Sequence, residues 1–286
     1  MLHLRAPAKI NLHLKVLGRR ADGYHELATW MQKLELADDI TLAASRSGIT
    51  LHCQGADLGA EESNLAYRAA LLFFKETGLQ GGVAITLVKN IPVAAGLGGG
   101  SSDAAAVLTG LNRLYAAGLD EQKMMELGLL LGADVPFFVA ACRAAIATGI
   151  GEKLQEKDSL PGSRFVLVNP GFPVSTKWVF ENFDNAQPAN FALTIEDNAY
   201  ILGRSFDGSL PARLVNDLEG ITTARYPEVA RLKKELAEAG ASETLMSGSG
   251  PTVFGIFFDS ALAAHCAANL QHRYPGRVFL TEPLSS

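Results

Sequence analysis

The chain has few cysteines and no basic excess. Its 286 residues include three cysteines (Cys53, Cys142 and Cys266) and carry a formal net charge of −5. Cysteines that are odd in number, widely spaced and set among apolar residues exclude a disulfide framework and indicate buried thiols in a reducing compartment. An extended nucleic-acid surface needs clustered basic residues, so we expect no nucleic-acid partner.

Long apolar runs and a leader pattern are also missing. The apolar run at residues 135–142 stops at Arg143, far short of the ~20 residues of a membrane-spanning helix. The first residues lack the basic and apolar regions of a signal peptide. We therefore expect a cytoplasmic protein with no membrane partner.

The patterning predicts two parts with different arrangements of strands and helices. Hydrophobic residues make up 48% and charged residues 19%, as in a globular protein with a sizeable core. Strands and helices alternate in the first half, and a polar stretch at residues 151–163 resembles a linker. The second half predicts an α+β domain with an antiparallel sheet. We expect an N-terminal domain at residues 1–155 and a C-terminal domain at residues 156–286.

Individual elements follow from periodicity and from capping signals. The predicted strands lie at residues 9–17, 31–36, 40–43, 49–52, 83–88, 144–148, 164–168, 244–246, 252–258 and 277–280. The predicted helices lie at residues 64–77, 103–114, 121–131, 175–180, 213–221, 227–240 and 261–272, with a short helical start at residues 134–136.

A glycine-rich segment, IPVAAGLGGGSSD at residues 91–103, lies between a predicted strand and a predicted helix. Glycine lets the backbone approach a ligand closely, and successive N–H groups can then point at one anion. The N-terminus of the following helix adds a positive dipole end. The segment lacks the lysine of a Walker A loop, and Ser101 stands where the dinucleotide fingerprint needs its third glycine. The pattern therefore favours a phosphate-binding loop of another kind over a flexible turn.

Three further segments carry residues with more than one interpretation. Lys9, in a predicted strand, is a surface lysine when taken alone, but with a carboxylate partner it suits charge stabilisation in phosphoryl transfer. Asp134 precedes Val135-Pro136 and fits a helix N-cap, or a group that accepts a hydroxyl proton beside a phosphate site. The turn at residues 245–253 (LMSGSGPTV) is either a hairpin turn or a second loop that approaches the phosphates.

Taken together, these motifs resemble those of the GHMP kinases. The three that carry the resemblance are PAKINL at residues 7–12, PVAAGLGGGSS at residues 92–102 and MSGSGPT at residues 246–252. Two more, GRRADGYHEL at residues 18–27 and LGADVPFF at residues 131–138, are similar to one branch of that superfamily. Members of this branch phosphorylate the 2-hydroxyl of a cytidyl-diphosphate-linked methylerythritol in the non-mevalonate route to isoprenoid precursors.

The resemblance implies an ATP-dependent kinase that uses Mg²⁺. It implies a catalytic pair in which Asp134 draws the hydroxyl proton and Lys9 keeps that carboxylate ionised. It implies that ATP contacts Pro92, Val93, Ala94, Ala95, Gly96, Leu97, Gly98, Gly99, Gly100, Ser101 and Ser102. It also implies that the cytidyl substrate contacts Asn11, Tyr24, His25 and Phe180.

The implied fold joins an N-terminal α/β domain, like the second domain of ribosomal protein S5, to a C-terminal ferredoxin-like α+β domain. The implied partners are ATP and a small cytidyl-diphosphate substrate, with the protein a monomer or a weak homodimer. Two alternatives stay open: a kinase of the same class acting on homoserine or a mevalonate derivative, and a non-catalytic nucleotide-binding regulator. The segment DGYH favours a nucleoside-containing substrate, and the presence of both Lys9 and Asp134 favours catalysis.

Overall fold

Strands and helices alternate along the first half of the chain. The computed structural model describes residues 1–56, 59–186 and 214–285. The elements of the first half are β1 (Leu2–Arg19), β2 (His25–Ser45), β3 (Gly48–Gln54), α1 (Leu65–Thr77), β4 (Gly82–Val88), α2 (Gly99–Leu114), α3 (Glu121–Leu131), α4 (Val135–Val139), β5 (Ala144–Gly149) and β6 (Lys153–Lys157).

The second half continues with four strands and their helices. These elements are β7 (Arg164–Val168), α5 (Thr176–Ala186), α6 (Glu219–Arg225), α7 (Pro227–Glu238), β8 (Glu243–Met246), β9 (Val253–Phe257), α8 (Ser260–Arg273) and β10 (Val278–Thr281). The helix predicted at residues 213–221 begins outside the described residues and is wrong for residues 214–218, which are not helical because Val215 and Asp217 form backbone hydrogen bonds with Leu14 of β1. Helix α6 covers only the last three predicted residues. No helix of the described ranges is long and apolar enough to cross a membrane.

The chain forms two compact units, each assembled from three separate segments. Unit 1 consists of Met1–Ala8, Leu36–Val93 and Gly98–Cys142, and unit 2 consists of Lys9–Glu35, Ala94–Leu97 and Arg143–Ser286. The boundary expected after residue 155 stays a prediction.

Unit 1 contains a parallel strand pair joined by a helix. The later part of β2 pairs antiparallel with β4, and β3 pairs parallel with β4, with Gly48 opposite Gly82. A parallel pair needs a crossover connection, and α1 supplies it. Asn64 caps the start of α1 by accepting from the Ala66 N–H, and Gly78 ends it in the left-handed conformation. The buried core includes Ile40, Leu42, Phe73, Ile85, Leu108 and Leu111.

Unit 2 contains a four-stranded antiparallel sheet in the order β10-β7-β9-β8. Its strands follow the chain as β7, helices, β8, β9, α8 and β10, which is the ferredoxin-like arrangement that the resemblance implies. The earlier part of β2 pairs antiparallel with β5, and β5 pairs antiparallel with β6. The core includes residues from distant parts of the chain: Leu14, Val16, Val166, Val229, Leu232 and Phe257.

Three predicted boundaries are wrong for identifiable reasons. The strands expected at residues 31–36 and 40–43 are one strand, because Asp38, which interrupts the apolar alternation, is completely buried within it. The expected linker contains β6, a largely polar strand that pairs with β5. Helix α2 begins at Gly99, although the low helix propensity of glycine and serine predicts a start near residue 103.

The three cysteines all lie among the described residues and form no disulfide there. Only Cys266 is buried, whereas Cys53 and Cys142 are half-buried. The expectation that all three are buried is therefore wrong for two of them.

Candidate active site

Lys9 is a buried lysine on β1, with a relative exposure of 4%. Its Nζ donates a 2.7 Å hydrogen bond to Oδ1 of Asn11, which lies on the same face of the strand because side chains alternate along it. The side-chain nitrogen Nδ2 of Asn11 donates in turn to Oγ1 of Thr29 on β2, at 2.8 Å. Burial of the ammonium excludes the surface position that an isolated lysine suggests.

Three of the predicted motifs meet within unit 2. The backbone N–H of Asn11 donates to the hydroxyl oxygen of Ser247 at 3.3 Å, and that hydroxyl donates to the carbonyl of Gly96 at 2.9 Å. The N–H of Lys9 donates to the carbonyl of Leu97, also at 2.9 Å. The turn after β8 is therefore bound to the first part of the glycine loop and to β1.

Gly96 shows how closely these segments approach. Its φ is +76°, and a Cβ added there would lie only 2.1 Å from the carbonyl oxygen of Ser247. Both the backbone conformation and the contact require glycine. This glycine is therefore needed for packing of the loop against the turn after β8.

The later part of the glycine loop leads directly into α2. Gly98 has a φ of +71° and stands at the N-cap, so that Gly99, Gly100 and Ser101 form the first turn of the helix. The first N–H groups of a helix have no partner within it, which makes this turn suited to an anion. The hydroxyl of Ser102 is 1% exposed and has no hydrogen-bond partner among the described residues.

Asp134 lies at the N-cap of α4 in unit 1, but its side chain makes no capping hydrogen bond. The helix is only five residues long, and Pro136 is in its first turn. Asp134 therefore occupies the N-cap position that the sequence predicts, but its side chain does not cap the helix. Lys9 and Asp134 belong to different compact units, and their pairing stays a prediction.

Two of the predicted nucleoside-binding residues lie together in unit 2. The rings of His25 and Phe180 are stacked, with their centroids 4.6 Å apart and their planes 21° from parallel. Tyr24 is 59% exposed, as a ring available for stacking would be. Nε2 of His25 lies 2.6 Å from Oδ1 of Asp184, a contact that sequence reasoning missed because nothing local links residues 159 positions apart.

His13, also on β1, is a buried histidine that the sequence analysis did not single out. It accepts a 3.3 Å hydrogen bond at Nδ1 from the N–H of Val215, and its Nε2 is buried without a partner among the described residues. Burial, reinforced by the positive charge of Lys15, lowers the pKa of His13 to about 4. The imidazole is therefore neutral at pH 7.

Unit 1 also contains a group of buried charged side chains close to the glycine loop in the sequence. Lys89 follows β4 and binds the carboxylates of Asp38 and Asp103, and we call these three residues the Lys89 cluster. Burial raises the pKa of Asp103 to about 7, against the attraction of the Lys89 ammonium. Lys89 directly precedes the glycine loop in the sequence, which is the one signal that could have marked it.

Two comparisons define the class of protein. Residues 64–141 match the family model described as GHMP kinases N terminal domain, and residues 202–276 match the one described as GHMP kinases C terminal. A solved homoserine kinase from Cytophaga hutchinsonii shares the fold, with a TM-score of 0.70 and 17% identity, over 99% of this chain and 94% of that chain. The class is that of the GHMP kinases.

Relatives with higher sequence identity show which family of GHMP kinases the chain belongs to. The 4-diphosphocytidyl-2-C-methyl-D-erythritol kinase of Syntrophotalea carbinolica is 46% identical over 98% of each chain, and that of Citrifermentans bemidjiense is 47% identical over 94% of each. A crystal structure of 4-(cytidine 5'-diphospho)-2C-methyl-D-erythritol kinase is 38% identical, with a TM-score of 0.81, and the match covers 99% of this chain and 100% of that one. The chain therefore belongs to the 4-diphosphocytidyl-2-C-methyl-D-erythritol kinase family of GHMP kinases.

Proposed function

We propose that this protein transfers the γ-phosphoryl group of ATP to the 2-hydroxyl of 4-diphosphocytidyl-2-C-methyl-D-erythritol, in the cytoplasm. The observation that carries the proposal is the hydrogen-bonded group that joins Asn11, Ser247 and Gly96, which brings three kinase motifs together in unit 2. The names of relatives that match nearly the whole chain support the choice of substrate.

The glycine loop binds the phosphates of ATP in this proposal. The N–H groups of residues 96–102 surround the phosphate oxygens, and the positive end of the α2 dipole faces them. The buried, unpartnered hydroxyl of Ser102 suits a phosphate oxygen or Mg²⁺, because hard cations prefer oxygen ligands. When bound, Mg²⁺ supplies positive charge that neutralises the β- and γ-phosphates.

The chemical step needs one base and one positive charge. The substrate hydroxyl oxygen forms a bond to the γ-phosphorus while the bond to the β–γ bridging oxygen breaks, and that electron pair leaves on ADP. The hydroxyl proton passes to the carboxylate of Asp134. The ammonium of Lys9, oriented by Asn11, keeps that carboxylate ionised and stabilises negative charge on the moving phosphoryl group.

The cytidine end of the substrate is bound by aromatic side chains. Tyr24 stacks on the pyrimidine, and His25 and Phe180 contact it from unit 2. Asp184 holds Nε2 of His25, which fixes the orientation of the ring and leaves Nδ1 to read the polar edge of the base.

The test is ADP release by the purified protein with ATP, Mg²⁺ and one alcohol at a time. We expect rapid, alcohol-dependent release with 4-diphosphocytidyl-2-C-methyl-D-erythritol and only background release with homoserine or mevalonate. Faster turnover of either smaller alcohol would contradict the substrate. ATP binding without release of ADP for any alcohol would instead identify a regulator.

A further inference from the structure

The Lys89 cluster lies entirely within unit 1 and is almost completely buried. The side chains of Lys89, Asp38 and Asp103 are 5%, 0% and 2% exposed. Nζ of Lys89 donates to Oδ2 of Asp38 and, at 2.7 Å, to Oδ2 of Asp103. One ammonium thus joins a carboxylate on β2 to a carboxylate on α2.

The second oxygen of Asp38 binds the beginning of the glycine loop. Its Oδ1 accepts from the N–H groups of Asn90 and Ile91, at 2.6 and 2.8 Å. These are the residues with which the chain leaves β4. The position where the loop begins is therefore set by Asp38.

The other end of the loop is set by the same ammonium. Asp103 lies in the first turns of α2, four residues after the helix begins at Gly99. A Cβ added to Gly99 would lie 3.3 Å from Nζ of Lys89 and 3.2 Å from Cγ2 of Ile91, so the start of the helix packs directly on the cluster. Through Asp38 and Asp103, Lys89 contacts both ends of the loop.

Stability alone does not account for this arrangement. The carboxyl group of Asp103 is buried beside that of Asp38, and its Oδ1 has no hydrogen-bond partner among the described residues. The cost of removing such charges from water often exceeds their mutual attraction, and apolar residues of similar volume are commonly as stable. What the ions add is a fixed geometry that apolar contacts do not specify.

We propose that Lys89 is a positioning residue for nucleotide binding. By binding Asp38 and Asp103 together, it fixes the two ends of the glycine loop and so holds the loop's N–H groups in the arrangement that the phosphates need. A preorganised loop loses less entropy on binding, and small displacements of binding groups are costly. This inference rests on the proposed binding of ATP by the loop.

The test compares Lys89→Met with Lys89→Arg. We measure the Kd for ADP by calorimetry, the KM for each substrate, kcat and the melting temperature. Lys89→Met should raise the Kd for ADP and the KM for ATP about tenfold or more, while the KM for the cytidyl substrate stays within about twofold. Lys89→Arg keeps the charge and should restore part of the affinity.

A matched control separates positioning from loss of stability. Leu111→Ala removes a buried side chain on the same helix, away from the loop, and lowers the melting temperature without touching the cluster. Its affinity for ADP should equal that of the wild type. Equal affinity in a folded Lys89→Met protein would overturn the inference.

If Lys89→Met does not fold, Asp103→Asn decides the matter. It keeps the shape of the side chain and leaves the ion pair of Lys89 with Asp38 intact. An increase of about threefold or more in the Kd for ADP supports the inference, because only the charged link to α2 has been weakened. An unchanged Kd overturns it. A wild-type protein that does not bind ADP overturns the proposed function instead.

Discussion

The ammonium of Lys9 donates a 2.7 Å hydrogen bond to the side-chain oxygen of Asn11, two residues further along β1. The amide nitrogen of Asn11 is held in turn by Thr29. Because both ends of the Asn11 amide are engaged, its oxygen is fixed toward Lys9. Asn11, expected from the sequence to contact the substrate, therefore also orients the lysine that the proposed mechanism needs.

The first prediction concerns Asp134. Asp134→Asn keeps the shape of the side chain and removes the proposed base, so kcat should fall about 100-fold or more while the Kd for ADP stays unchanged. The control is Asp120→Asn, because Asp120 does cap its helix by accepting from the Lys123 N–H at 2.7 Å. Asparagine also caps helices well, so this control should keep both its kcat and its stability. Near-normal kcat in Asp134→Asn would remove Asp134 from the mechanism.

The second prediction concerns the glycine loop. Gly98→Val should lower nucleotide affinity, but Gly98 has a φ of +71°, so that change also strains the backbone. Gly100→Ala is a cleaner test, because the added Cβ meets only Cδ1 of Leu65 at 3.6 Å and alanine favours the helix. The Kd for ADP should rise about tenfold, because the added methyl group lies in the first turn of α2, which binds the phosphates in the proposed function.

A second helical glycine provides the control for this change. Gly220→Ala in α6 adds a Cβ with no atom within 4 Å, so nucleotide affinity should not change. Unfolding curves should show both alanine variants to be at least as stable as the wild type. Unchanged ADP binding by Gly100→Ala would place the phosphates elsewhere.

The third prediction concerns substrate specificity. Tyr24→Ala removes an exposed ring, so the melting temperature should change little. The KM for the cytidyl substrate should rise about tenfold from the loss of stacking, and the KM for ATP should not. Phe258→Ala, which removes another exposed ring, should change neither KM. Equal increases for both substrates in Tyr24→Ala would move Tyr24 away from the nucleoside.

The fourth prediction concerns acid stability. The pKa of His13 is about 4 in the folded chain, against an ordinary value of 6.5, so the unfolded chain binds its proton first as the pH falls. The contribution of the neutral imidazole to stability is complete above pH 6.5 and is lost as the pH falls through 4; it amounts to about 3 kcal/mol. His13→Gln should flatten the dependence of the unfolding free energy on pH in that range.

Chemical denaturation at pH 7.5, 6, 5 and 4 measures this slope. His272→Gln is the control, because His272 is exposed on α8 and should leave the slope unchanged. A His13→Gln protein with the wild-type slope would show that His13 is not held neutral by burial.

Local signals predicted most elements and the candidate phosphate-binding loop. Asn64 and Gly78 lie at the ends of α1, and the glycines before α2 are the local pattern on which the predicted loop depends. These features depend on neighbours within a few residues, so the sequence alone carries them. The ferredoxin-like sheet followed from the resemblance, and the observed strand order confirms it.

What the sequence did not disclose depends on distant residues. Lys9 alone suggests a surface position, and only Asn11 and the surrounding strands explain its burial. The buried Asp38 reads as a break between two strands, because its partner Lys89 is 51 positions away. Tertiary contacts therefore override the local pattern where polar groups are buried in pairs.

The segmented construction of unit 2 has a consequence for protein synthesis. Leu14, in β1, is bridged to Asn216 and belongs to a core that the second half of the chain completes. About 200 residues separate the two, and at 5–20 residues per second the ribosome needs about 10–40 s to make them. During that interval the apolar side chains of β1 have been synthesised, but the residues of the second half that pack against them have not. The core of unit 2 therefore cannot be completed until most of the chain has been synthesised.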